Sequence, residues 1–418
     1  MSHIMRGRLR CAVASAVAIL AALGAESATA ETAPPFRELL AQAQASAPRL
    51  SEAAAAVRQA EGSARQATAR PNPTAGLEVE NFSGSGPFRG TGQAETTLSI
   101  GQALELGGKR SARIAAGRAS LEAAQARLSQ SRADYAFSLA EAYALAEAAD
   151  RQVGLAQESL SLADEVLRVA RALVDAGKEA ELRSLQAQAA VTAARAALDA
   201  ARAERTGAYA RLTALAGSPT PFTALGDSLL TAPAPTSQTN VDLLTTPAVL
   251  AAAADREAAA RRVRVERTRA VPDVTVSAGL RRFSGDNSTA LVAGLSVPIP
   301  VFDQNRGNIT AAQGELQGAE ARLAAARLDA QADLRTALFQ IEATQTRVNA
   351  AVEGETTAAE AFRLTRIAYE GGKSPLLELI SARRALADAR AQTIEAQLAR
   401  LRAQAGLARL QGRPLGDR

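Results

Sequence analysis

The chain has 418 residues, 47% of them hydrophobic but only 3% aromatic, with one Cys, one His, two Met and no Trp. Lys and Arg exceed Asp and Glu by 48 to 43, a net +5 spread along the chain. That excludes a concentrated nucleic-acid patch, and the scarcity of aromatics argues against base stacking. The His, the Cys and both Met lie within the first eleven residues, so the rest of the chain offers a transition metal only oxygen ligands and lacks the usual Ser, Cys and His nucleophile–base pairs.

Arg6, Arg8 and Arg10, the apolar run 12–23 and Ala28-Thr29-Ala30 read as a signal peptide over 1–30. The run is too short for a comfortable transmembrane helix. Cleavage after Ala30 removes His3, Cys11, Met1 and Met5, so disulfides are impossible in the mature chain. Cys11 precedes most of the apolar run and is not placed as a lipid-bearing cysteine.

Residues 36–69 carry a helical apolar stripe (Leu39, Leu40, Ala43, Leu50, Val57), with Pro48 as an interior break or the first residue of a second helix. Period-two segments follow at 74–82 and 94–104. Ala75, Leu77 and Val79 oppose Glu78 and Glu80, and Thr96, Leu98 and Ile100 oppose Glu95, Thr97 and Ser99. From 110 to 215 the pattern predicts a long helical hairpin. Its first arm lacks proline from Ser111 to Val174 and would extend on the order of 95 Å. Gly177 suits a turn needing positive φ.

Residues 218–240 are proline-rich and read as a linker, with a short helix expected near Leu225–Leu230. The pattern then repeats over 241–412. An opening helix is followed by strands at 273–283 and 290–301 and a hairpin over 308–410; a tail, 413–418, has no organised pattern. At a shift of 197, Leu98, Ser99, Lys109 and Gly117 fall on Leu295, Ser296, Arg306 and Gly314. At a shift of 195, Gly177-Lys178 falls on Gly372-Lys373. These matches mark one large unit, 36–217, used twice.

Alternation of this kind suits a sheet between hydrocarbon and water, and equally a half-buried sheet in a small domain. If it lies in a membrane, four strands cannot close a barrel, since known single-chain barrels start at about eight. Subunits must then pool their strands, because an open edge in lipid is costly. Glu78, Glu80, Glu95, Asp273 and Arg281 are candidates to line the lumen, keeping it wet and mildly attractive to cations. No residue is expected to be catalytic, to bind a cofactor or to hold a metal, and no nucleotide motif is present.

The signal peptide, the repeat, the paired strands and the long hairpins together resemble the outer-membrane efflux family of TolC-type channels. LELGGKRSARI (104–114) and PIPVFDQNRGNI (298–309) resemble its heavy-metal, cobalt-zinc-cadmium-type branch. The resemblance implies a mostly α fold with β: a homotrimer pooling a twelve-stranded outer-membrane barrel, continued by a helical tunnel across the periplasm. It implies a passive duct rather than an enzyme, with no cofactor. Its partners would be outer-membrane lipid, a periplasmic adaptor and an inner-membrane, proton-driven resistance-nodulation-division pump. Some members carry a lipidated N-terminal cysteine; here the barrel alone is expected to anchor the chain. The exported material would be divalent heavy-metal cations; alternatives are drugs or polypeptides through the same duct, or a periplasmic coiled-coil scaffold.

In the family a tyrosine precedes the tip glycine, and two acids three apart follow it. Tyr369, Gly372 and Glu378 match, whereas Ser381 stands where the second acid belongs. With Lys373, Gly177 and Lys178 they form the expected periplasmic tip. Glu378 is also readable as a solvated helix residue, and its repeat mate is Arg183. Lys109, Arg110 and Arg306 are placed at the sheet–helix junction, contacting headgroups or carboxylates, or serving solubility.

Overall fold

The structure, a computed structural model, describes residues 31–231 and 242–415. The expected signal peptide, part of the linker and the end of the tail lie outside the described residues.

Two helical hairpins dominate. Helices α1 (Phe36–Ser46) and α2 (Pro48–Gln66) meet at Ala47, with Pro48 as the first helical residue of α2. After strands β2 (Thr74–Glu80) and β3 (Glu95–Leu104), α3 runs from Lys109 to Asp175 over 67 residues, and α4 (Glu181–Ala216) returns alongside it. The second set comprises α5 (Pro247–Arg269), β5 (Val274–Phe283), β6 (Thr289–Ser296), α6 (Arg306–Glu370, 65 residues) and α7 (Leu376–Leu410). At about 1.5 Å per residue, α3 and α6 each extend about 100 Å. Alanine makes this possible twice over, by propensity and by letting axes approach.

Each hairpin turns in the same way. Gly177 and Gly372 take φ of 68° and 69°, and Lys178 N and Lys373 N donate to Leu173 O and Ala368 O, closing the helix ends. Helix α3 packs on α2 and α4 on one side and on α5 and α7 on the other, and α6 packs on α5 and α7. The α3–α7 seam carries ion pairs in antiparallel heptad steps. Arg383 lies 3.8 Å from Glu165 and Arg390 2.8 Å from Glu158; Arg151 Nη1 donates to Gln397 Oε1 at 2.9 Å.

The strands form one antiparallel sheet in the order β2-β3-β5-β6. Its register aligns Leu77, Leu98, Leu280 and Leu291 in a single row, and these leucines are 70%, 58%, 53% and 87% exposed. Among the described residues nothing covers this face, and the outer edges of β2 and β6 have no strand partner.

Three expectations need correction. The segment expected as a strand to 301 leaves the ladder at Ser296, because Pro298 and Pro300 lack the N–H that pairing needs. The segment expected to 82 ends at Glu80, where Asn81 turns to φ 55°. In place of a helix at 225–230 there is a short strand, β4 (Phe222–Leu225), paired in parallel with β1 (Glu31–Ala33). This pair caps the main apolar cluster, in which Phe36, Leu39, Leu139, Tyr143 and Leu212 are buried about midway along the hairpins.

Candidate duct wall, junction and hairpin tips

On the face opposite the leucine row, most residues are small or polar. Thr74, Gly101, Ser277 and Gly294 align in one row, and Gly76, Ser99, Gly279 and Val292 in another. A Cβ at Gly279 would lie 2.5 Å from Leu98 O, so that position is closed to any side chain.

Farther along the same face Glu78 is paired with Thr97, which is paired with Arg281. The Arg281 guanidinium bridges the strands: Nε donates to Thr97 Oγ1 (2.9 Å) and Nη1 to Glu95 Oε2 (3.0 Å), while Nη2 lies 2.9 Å from Glu80 Oε2. Asn81 Nδ2 donates to Glu95 Oε1 at 3.2 Å. Four of the five lumen candidates thus share this end of the polar face. Asp273 does not. It stands just before β5, with Oδ1 2.7 Å from Lys109 Nζ and accepting from Leu106 N at 3.3 Å.

Asp273 therefore belongs to the sheet–helix junction. There the chain must swing from strand to helix, and it does so through left-handed residues at matching places, Gly108 (φ 76°) and Asn305 (φ 58°). Arg110 and Arg113 open α3, where the macrodipole disfavours cations. Their heads reach instead to the C-terminus of α2. Arg110 Nη2 donates to Thr68 O (2.8 Å), and Arg113 donates to Ala67 O (3.0 Å) and Ala69 O (2.8 Å) while pairing with Glu105. Asn305 Nδ2 makes the comparable contact to Glu266 O at 2.7 Å. Among the described residues Arg306 makes no such contact.

At mid-height, Glu147 is buried among apolar neighbours. Its carboxylate accepts from Leu229 N (2.8 Å), Leu230 N (3.0 Å), Ser228 Oγ (2.5 Å) and Arg151 Nη2 (2.6 Å). Tyr143 Oη donates to Asp227 O at 3.1 Å, and burial holds this phenol above its ordinary pKa. Tyr209 is raised as well, first by burial and then by its hydrogen bond to Asp150. Burial pulls the Arg400 guanidinium down, while its Nη2 donates to Leu230 O at 2.9 Å. In the sequence Glu147 is one of two acids, with Glu141, inside the alanine-rich run from Leu139 to Ala149.

At the tips, Ser374 Oγ donates to Glu378, and Lys373, Lys178 and Ser381 are exposed. Tyr369 is half-buried near Gly372, and Arg183 sits 3.8 Å from Glu179. Leu182, Leu185 and Leu377 are exposed beside these groups. The last rung of the seam, Arg383–Glu165, lies within about three turns of both tips. Among the described residues, no three His, Cys, Asp or Glu side chains converge as metal ligands would. No described helix is long and apolar enough to cross a membrane.

A family model described as outer membrane efflux protein matches residues 39–218 and 242–413. The chain is 46% identical over 413 residues to the nickel-cobalt-cadmium resistance protein NccC of Alcaligenes xylosoxydans xylosoxydans, covering 99% of this chain and 94% of that one. It is 49% identical over 356 residues to the nickel and cobalt resistance protein CnrC of Cupriavidus metallidurans, covering 85% of each. Among solved structures, CusC superposes with a TM-score of 0.74 at 18% identity, covering 90% of this chain and 92% of that one. The open-state MtrE outer membrane channel of Neisseria gonorrhoeae also gives 0.74, at 21% identity, covering 91% and 90%. At these identities the superpositions establish the fold.

Proposed function

The chain belongs to the outer membrane efflux protein family, and on that premise we propose that it is the outer-membrane duct of a tripartite exporter of divalent heavy-metal cations. In this reading three copies pool their sheets into a twelve-stranded barrel and their hairpins into a tunnel. A periplasmic adaptor and a proton-driven inner-membrane pump supply the coupling, and the duct itself does no chemistry.

The observation that carries the reading is the sheet. Its leucine row is uncovered, its opposite face is polar, and both of its edges are unpaired. In water such a sheet would be an aggregation template; in lipid with its edges joined to further copies, every backbone group is satisfied. The helices support the same closure. Away from its packed side, α6 presents Ala311, Ala321, Ala325, Leu328, Ala332 and Phe339, all exposed. Likewise α4 presents Leu182, Leu185, Ala189, Ala196, Ala203 and Ala210. These stripes, at three-four spacing, lie on the two outermost helices at different heights, that of α6 in the half nearer the sheet and that of α4 in the half nearer the tip, and each offers an apolar face to a neighbouring copy.

The metal cargo is supported by the names of the relatives and by the chemistry of the wall. Hydroxyls, glycines and a few carboxylates attract cations weakly, and conduction requires release as well as capture.

The test pairs a particle with a phenotype. Detergent-solubilised protein should give threefold particles with a tube of about 100 Å. With its own adaptor and pump, the gene should restore nickel, cobalt, cadmium or zinc tolerance to a host lacking the outer component. A soluble monomer would end the membrane reading; restored tolerance to dyes or drugs but not to metals would reassign the cargo.

A further inference from the structure

Just beyond β6 the chain runs Val297-Pro-Ile-Pro-Val-Phe302. Phe302 is 99% and Ile299 81% exposed, and Val297 and Val301 are exposed beside them. The matching stretch after β3 is different: β3 stays in the ladder to Leu104, and Glu105 occupies the position equivalent to Phe302. We propose that residues 297–302 are a second membrane-contact element, seated at the acyl–headgroup boundary of the inner leaflet beside the sheet. The proposal rests on the sheet being the membrane-spanning part.

Four observations favour lipid as the occupant. The first is continuity. Leu291, Leu295, Val297, Ile299 and Val301 share one parity, with Gly294, Ser296, Pro298 and Pro300 between them, so the exposed apolar row of β6 runs on past the end of the ladder.

The second is height. A tilted strand crosses the apolar band of about 25 Å in about 9–11 residues. The ten residues of β3 and β5 suffice, but the eight of β6, at about 3.4 Å each and a tilt near 45°, reach only about 19 Å. The residues available to complete the band on this side are those that follow.

The third is the backbone. Non-ladder chain in an apolar phase is penalised for each unpaired donor. Pro298 and Pro300 have no N–H, and Val301 N donates to Ile299 O at 2.9 Å. The segment has thus shed or satisfied three of its six backbone donor positions.

The fourth is the sequel. Phe302 is followed at once by Asp303, Gln304, Asn305 and the exposed Arg306. An aromatic ring at the edge of an apolar band with polar groups beyond it is the arrangement that interfaces favour.

The chain contains no tryptophan, so single reporters are unambiguous. Full-length Leu291→Trp, Ile299→Trp, Phe302→Trp and Phe339→Trp would each be reconstituted into phosphatidylethanolamine–phosphatidylglycerol vesicles. The lipids would be brominated either near the headgroup or deep in the chain. Leu291→Trp should be quenched by deep bromines and Phe339→Trp by neither. Phe302→Trp should lose roughly half its emission to shallow bromines, as a residue lying in the interface plane does, with Ile299→Trp intermediate. Ile299→Trp also covers failure of the Phe302 variant to fold. If Leu291→Trp is quenched while Ile299→Trp and Phe302→Trp are not, the inference fails and the membrane sheet stands. Blue-shifted but unquenched emission at Phe302→Trp would place the ring against protein and also overturn the inference. If no reporter is quenched, the membrane reading falls and takes this one with it.

Discussion

Replacing Glu147 with alanine should release the segment that crosses the hairpins at mid-height. Its carboxylate accepts from both Leu229 N and Leu230 N in a place where Leu230 is fully buried. An orphaned buried donor costs about 1–3 kcal/mol. Two therefore cost about 2–6 kcal/mol, while Arg151 keeps Gln397 and Ser228 keeps Thr231 as partners. Taking about 4 kcal/mol and about 1.4 kcal/mol per decade, local opening becomes some three orders of magnitude more frequent. Limited proteolysis with an enzyme that cleaves after leucine, under conditions where opening equilibrates before cleavage, reads that frequency at Leu229 and Leu230. Glu147→Gln should fall between, since its amide offers one acceptor and turns a donor toward donors. Glu141→Ala is the control. Its pair with Arg402 (2.9 Å) is more than a third exposed on both sides and is worth at most about 1 kcal/mol. If Glu147→Ala cleaves no faster than this control, the two amides do not depend on Glu147 and the argument is wrong.

Gly107→Ala should destabilise the junction more than Gly372→Ala destabilises its tip. Both have positive φ, costing about 1 kcal/mol, but a Cβ at Gly107 would also lie 2.8 Å from Val271, adding about 1–3 kcal/mol, whereas Gly372 opens onto space; thermal midpoints of the solubilised variants check the order. At high pH, burial raises Tyr135, Tyr143 and Tyr209 above the ordinary phenol value of about 10, so the folded chain holds protons that the unfolded chain gives up. Their contribution is complete below that value and is lost as pH climbs through the folded values. Tyrosinate absorbance from these side chains should therefore appear together with loss of structure, and Tyr143→Phe should soften the dependence. Arg113→Ala removes two hydrogen bonds to the end of α2 and two to Glu105. A loss of about 2–3 kcal/mol is expected, read as faster amide exchange at residues 64–69.

What the sequence made legible follows from how local each feature is. The parity of Leu98 and Leu280 is set by period two, and the turns at Gly177 and Gly372 by the φ that few other residues accept. Gly108 and Asn305 align because both can be left-handed where strand becomes helix. The expectation of a strand to 301 follows the alternation of β6 past Ser296 and passes over the alternate prolines, which cannot continue a ladder. Other features were not local. Asp273 meets Lys109 across a separation in sequence that no spacing rule reaches. Residues 225–230 carry apolar side chains that suit a helix, yet β1 takes Phe222–Leu225 into a sheet and Glu147 takes the next amides. Nothing in the spacing of KRSAR points to the acceptors of Arg110 and Arg113, because those carbonyls, ending α2, lie on another helix.

Cohesion is distributed unevenly along the hairpins. At the sheet end, Arg110, Arg113 and Asn305 tie helix to helix, and at mid-height the largest apolar cluster and the Glu147 contacts join both hairpins to the crossing segment. Toward the tips, the seam between hairpins depends on rungs such as Arg383–Glu165 and Arg390–Glu158, which are partly exposed and worth about 1 kcal/mol each. Such rungs hold register rather than bind: a slip of one residue breaks them together. The first hairpin still has a buried cluster in its distal half, Leu167, Ala187 and Val191, whereas among the described residues the buried cluster of the second, Ala337, Leu407 and Leu410, sits far from its tip. Among the described residues the distal second hairpin buries single apolar side chains, Val348 and Leu386, rather than a cluster of its own, and segments held in that way open at the low end of the stability range. Glu378 and Gly372 lie on this hairpin.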